Sequence, residues 1–127
     1  MINFKVYDET IIYLVAPANI ATGGPEGLHQ VAQFLRKKFG DRVFMHYLPS
    51  HKEDPVHSNY KKFNIPFKNA IIDHSNNIII APEVINCVTS LSNFNQIRTA
   101  IWWLSIDNFP ISIWIFFSFF SPLYFVV

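Results

Sequence analysis

The chain has 127 residues, 50% of them hydrophobic and 15% charged, with 10 Lys and Arg against 9 Asp and Glu for a formal charge of +1. That length suits one domain with a substantial core, and so even a charge argues against nucleic acid as a partner, since phosphate binding needs clustered Lys and Arg. The single cysteine, Cys87, excludes an internal disulfide and a multi-cysteine zinc site.

The amino terminus carries Asp8 and Glu9 where a signal peptide needs a basic start and an apolar run, so residues 1–108 read as a cytoplasmic domain. Residues 11–15 are a continuous apolar run rich in β-branched side chains, the mark of a strand covered on both faces. A loop over residues 16–25 follows and contains Asn19, Gly23 and Gly24. Pro25 suits the first turn of a helix, and Glu26 complements the positive end of its dipole. Leu28, Val31, Ala32, Leu35 and Phe39 keep helical spacing on one face. Lys37, Lys38 and Gly40 then signpost the stop. Residues 43–47 read as the next strand, completing a βαβ unit.

Beyond it, residues 48–58 read as a surface loop and residues 60–64 as one helical turn closed by Pro66. Residues 70–72 and 77–81 are two strand candidates separated by the turn-prone Asp73, His74, Ser75 and Asn76. The spacing of Val84, Val88, Leu91, Phe94 and Ile97 predicts a helix over 84–97, diluted by Asn and Ser. Residues 100–106 form a last strong strand ending at Asp107 and Asn108.

From Asn108 to Val127 no side chain is charged, and residues 109–127 are almost wholly aromatic or aliphatic. Three readings are open for this tail. It is long enough to cross a bilayer core of about 30 Å as helix, although Pro122 and the lack of a terminal Lys or Arg count against an anchor. It also fits an out-of-frame or truncated end, or buried core. A membrane contact through residues 109–127 therefore stays open beside a cytoplasmic location.

Strands alternating with helices point to an α/β fold, an open and mostly parallel Rossmann-like sheet with helices on both faces. Ligands of such sheets bind outside the carboxyl ends of the strands. That rule selects residues 16–25, Pro82 with Glu83, and the segment around Asp107. Gly23 and Gly24 at a helix start offer close backbone approach and free N–H groups to an anion. The pattern is neither G-x-G-x-x-G nor a P-loop. A plain strand-to-helix turn explains the two glycines equally.

Residues 10–109 resemble the opening half of GT-B glycosyltransferases. The resemblance rests on the strand Tyr13, Leu14, Val15 followed by Ala16, Pro17, Ala18 and Asn19, and on Thr22, Gly23, Gly24, Pro25 and Glu26 with Leu28, His29 and Gln30. Pro82, Glu83 and Val84, and the block from Trp102 to Asn108, continue it in order. It implies a transferase in bacterial surface polysaccharide synthesis that moves a sugar from a nucleotide-activated donor to a sugar acceptor. In that family the amino-terminal Rossmann-like domain holds the acceptor, and a second domain grips the donor nucleotide. Nothing in this sequence resembles the second domain, so the donor and acceptor are partners only if one completes it, and a catalytically inactive remnant or a membrane-attached binding module is the alternative.

Glycosyl transfer needs a group to assist the acceptor hydroxyl and positive or N–H groups for the departing diphosphate. Asp107 and Glu83, just past strand ends, are the candidate catalytic carboxylates, each equally a turn or first-turn helix residue. Gly23, Gly24, Glu26, His29 and Asn19 are the candidate phosphate- or substrate-binding residues, with His29 either facing the cleft or exposed on the helix. No cofactor is expected. His46, His51, His57 and His74 lack ligand spacing, so no metal is expected either. Cys87 reads as a small buried hydrophobe, and of Trp102 and Trp103 one at most lines a given sheet surface.

Overall fold

A computed structural model describes residues 5–102 and the backbone of residues 123–126. Strands β1 (Ile12–Pro17), β2 (Val43–Leu48), β3 (Ile78–Pro82), β4 (Arg98–Trp102) and β5 (Leu123–Val126) form one sheet in the order β2-β1-β3-β4-β5. Every pairing is parallel, with Ile12 opposite both Val43 and Ile78, and Ile78 opposite Arg98. The chain leaves β1 toward one edge and returns to its other side for β3, so the strand order reverses between β1 and β3. This is the open α/β architecture that the alternating pattern predicts.

The apolar runs are long because both faces are covered. Ile12, Leu14, Ala16, Val43, Met45 and Tyr47 face helix α1 (Gly23–Phe39), which buries Leu28 and Ala32 among them. Tyr13, Val15, Ile79, Ala81 and Ile101 point to the other face, where helix α2 (Ile85–Ser90) supplies Cys87 and Val88. A side chain such as Leu28, fully shielded from water, contributes about 1.5–3 kcal/mol through the area it buries. Helix α1 stops as its sequence predicts. Gly40 adopts φ 75°, a left-handed conformation, and its N–H bonds the Arg36 carbonyl.

Two expected elements take another form. Residues 70–72 make no strand. Their backbone is tied by side chains instead, with Ile72 N–H donating to the Tyr13 hydroxyl at 3.2 Å and Asn77 Nδ2 donating to the Ile72 carbonyl at 3.0 Å. The helix expected over 84–97 ends early, with a 3-10 turn over Leu91–Asn93. The Asp73 carboxylate accepts from the backbone N–H groups of Asn95, Gln96 and Ile97 at 2.9, 2.9 and 2.8 Å, which pulls that segment out of the helical path. A 3-10 turn over Ser58–Phe63 replaces the single turn expected at 60–64. Strand β4 begins at Arg98, and its expected extension over 103–106 lies outside the described residues, as do Asp107 and residues 109–122 and 127 of the tail. No helix among the described residues is long and apolar enough to cross a membrane.

Candidate functional site

A cleft of about 1230 Å3 opens at the carboxyl ends of β1, β2 and β3, where the strand order reverses. One wall is the loop after β1 and the first turn of α1, contributing Ile20, Thr22, Gly23, Gly24 and Pro25. Leu48 and Pro49 at the end of β2 close one end. The opposite wall is Pro82, Glu83 and Val84 with the exposed side of α2, which presents Asn86, Thr89 and Ser90, and with Asn93 from the 3-10 turn that follows.

The glycine pair is the first turn of α1. Thr22 caps the helix in extended conformation without a side-chain hydrogen bond, and the first intrahelical bond runs from Glu26 N–H to the Thr22 carbonyl at 3.2 Å. Pro25 has no N–H, so Gly23 and Gly24 hold the unsatisfied donors of this turn. A Cβ placed on Gly23 would meet nothing within 4 Å, so no protein neighbour demands glycine there. The small residue leaves open space beside the N–H groups.

Glu83 lies at the far wall, 3% exposed, just past the end of β3. Cys87 also reaches this wall, but burial pushes its thiol up to about 12, so it is a neutral, unreactive group at ordinary pH. The hydroxyls of Thr89 and Ser90 donate to the carbonyls of Ile85 and Cys87 at 2.8 and 2.6 Å, which leaves their oxygen lone pairs to the cleft. The side-chain amides of Asn86 and Asn93 offer donors and acceptors together. No Lys, Arg or His lines the cleft among the described residues.

Three of the sequence-predicted residues therefore meet at one site: Gly23, Gly24 and Glu83. The others do not join them. Glu26 is exposed and lines a separate polar depression beside Thr22 and Lys62. Asn19 adopts a left-handed turn, φ 56°, and its N–H and Nδ2 bond the carbonyls of Pro55 and Asp54, which makes it a loop anchor. His29 is neither cleft-facing nor exposed. It is 1% accessible under the first turn of α1, because its spacing from Pro25 and Ala32 puts it on the core side. Burial holds its ring below the usual histidine range, partly offset by the bond to the Pro25 carbonyl. Sequence reasoning missed Asn86, Thr89 and Asn93; their signal was the polar dilution of the helix pattern, a face that stays out of the core because it borders the cleft.

In comparisons with known proteins, no family model matches the chain, and no curated protein or solved structure is significantly similar to it. The lining of the cleft suits a ligand with hydroxyl groups and apolar patches: Glu83, Asn86 and Asn93 can exchange hydrogen bonds with hydroxyls while Leu48, Pro49 and Val84 cover carbon. Among the described lining residues a free diphosphate would meet a carboxylate and no cationic side chain, and only the helix N-terminus favours it. Among the described residues, no group of three or more His, Cys, Asp or Glu is gathered to hold a metal.

Proposed function

We propose that this chain is the acceptor-side half of a GT-B-type glycosyltransferase and that the cleft holds a saccharide acceptor. The observation that carries this reading is the pairing, across one cleft at the strand-order reversal, of the Gly23–Gly24 turn with buried Glu83 and the polar side chains Asn86, Thr89, Ser90 and Asn93 of α2 and the turn after it. In the transfer reaction an acceptor hydroxyl oxygen attacks the anomeric carbon of the donor sugar. The bond from that carbon to the diphosphate breaks, and the hydroxyl proton passes to a base. Glu83 is the described carboxylate placed for that proton, and Asp107, the other candidate, lies outside the described residues. The nucleotide-sugar donor and the sugar acceptor are the proposed partners, in bacterial surface polysaccharide synthesis.

The lining also favours a second reading, the non-catalytic binding module. With no Lys, Arg or His among its described lining residues, the cleft offers a departing diphosphate the two glycine N–H groups alone. In this reading the chain binds the saccharide and performs no transfer by itself.

Amide-resolved NMR titration of the full chain tests the shared element. Neutral methyl glycosides are expected to shift amides of residues 22–24 and 83–93 at millimolar concentration. Uridine diphosphate without sugar is expected to leave them in place. Binding of the nucleotide with silence from every saccharide would overturn the acceptor assignment.

A further inference from the structure

The turn that borders the cleft is built from weak parts. Gly23 and Gly24 lose more backbone freedom on ordering than other residues. Thr22 gives no side-chain cap, and Pro25 removes a donor. Two side chains from beneath replace the missing support. The Tyr60 hydroxyl donates to the Thr22 carbonyl at 2.9 Å, and His29 Nδ1 lies 2.6 Å from the Pro25 carbonyl. These two carbonyls flank the glycine pair.

The bonding pattern determines the proton positions. A carbonyl only accepts, so Nδ1 carries the hydrogen, and neutral His29 must accept through Nε2 from the Tyr47 hydroxyl, 2.7 Å away. The Tyr60 ring stacks on the imidazole with centroids 4.4 Å apart, and Phe63 flanks it at 6.0 Å. All three polar rings are at least nine-tenths buried.

We propose that Tyr60 and His29 are positioning residues that hold the Gly23–Gly24 turn in its binding shape, so that ligand affinity at this turn depends on the proton state of a histidine that touches no ligand. The proposal rests on the reading of the cleft given above. Protonating Nε2 turns an acceptor into a donor facing the Tyr47 hydroxyl, whose own hydrogen then loses its partner. It also places a positive charge under the amino end of α1, where the helix dipole opposes it. The charged and titratable groups around the ring are Glu26 and Arg36 on α1, Tyr47 on β2, Tyr60, Lys61 and Lys62 on the 3-10 turn, and Asp54 on the preceding loop. His57 packs its ring against Tyr60 at 5.8 Å from outside and is the histidine that a control must remove.

The test uses the 15N-labelled full chain with two readouts. The first is hydrogen exchange of the Glu26 amide without ligand, because its bond to the Thr22 carbonyl closes the turn. Tyr60→Phe keeps the ring and deletes one hydrogen bond, so exchange at Glu26 is expected to speed about fivefold to tenfold, with β1 and β3 amides unchanged. In the wild type, exchange corrected for its intrinsic pH dependence is expected to be level above pH 7 and to speed as pH falls below 6.5, since burial holds the His29 ring below that value. His29→Phe is expected to abolish that response and His57→Gln to retain it. The second readout is affinity for methyl α-glucoside, expected to weaken several-fold in Tyr60→Phe and, in the wild type, toward pH 5.5. Unchanged Glu26 exchange in Tyr60→Phe, equal acceleration across β1 and β3, or a pH response surviving His29→Phe would each overturn the brace. Should His29→Phe fail to fold, Tyr60→Phe and the wild-type pH series decide alone. The expected exchange pattern without saccharide binding supports the brace and counts against the proposed function.

Discussion

Gly23→Ala separates the needs of the fold from those of the cleft. A Cβ at this position meets no heavy atom within 4 Å, and the residue sits at the first helical position of α1 in a conformation open to any side chain. Replacing glycine by alanine at such a site removes unfolded-state freedom and stabilises by about 0.4–1 kcal/mol. For a domain of this size that raises Tm by about 2–6 °C. The same methyl fills space beside the donors of the turn, and losing one such contact, about 1.4 kcal/mol, weakens saccharide binding about tenfold. Thermal unfolding followed by circular dichroism and a saccharide titration of the same variant measure the two effects. Opposite signs are expected. A more stable variant with undiminished affinity would refute the role of Gly23 in binding, and a less stable variant would refute the packing argument itself.

Asp73→Ala should cost about 2 kcal/mol in urea unfolding at pH 7, because it removes an ionised acceptor from three backbone N–H groups, discounted for solvent exposure. The bonds from Asn95, Ile97 and Gln96 hold the Asp73 carboxyl below its ordinary value of 3.8, so this stability is full above that pH and is lost as pH falls through the lower folded value. A midpoint shift worth less than 0.5 kcal/mol, on a scale where about 1 is typical for one hydrogen bond, would contradict the reading. A separate pH window belongs to His29 and His46, whose rings burial holds below 6.5. The unfolded chain takes up their protons first, so stability should be level above about pH 7. It should then fall below pH 6.5, by at most about 1.4 kcal/mol per pH unit for each histidine. Urea midpoints that stay constant from pH 8 to 5 would contradict it.

The contrast between donors and charges in the cleft bears on both functional readings. Two glycine N–H groups and the helix dipole amount to about half a unit of positive charge, set against the Glu83 carboxylate across the cleft. That balance suits a neutral, hydroxylated ligand better than a diphosphate. The brace beneath the glycine turn adds a constraint of its own, because an uncapped Gly-Gly turn orders a ligand only when something else orders the turn.

Much of this molecule is legible in one dimension. The apolar run at β1 marks a strand covered on both faces, those within β2, β3 and β4 mark further strands, and α1 announces its own limits through Pro25, Lys37, Lys38 and Gly40. Those signals are local, because backbone propensity and burial periodicity act over a few residues. They also suffice for the rule that locates the cleft at the strand ends, which is why Gly23, Gly24 and Glu83 could be named beforehand. What periodicity cannot report is which distant group meets a given residue. Helix α2 stops short because Asp73, 22 to 24 residues earlier, captures the N–H groups of Asn95, Gln96 and Ile97. His29 is a buried support because Tyr47, 18 residues on, offers it a hydroxyl and Tyr60 a ring face. Helical and strand patterns thus follow from the chain alone, whereas the fate of each polar side chain was decided by the tertiary fold, since hydrogen bonds are short-ranged and their partners are brought within reach only when the sheet closes.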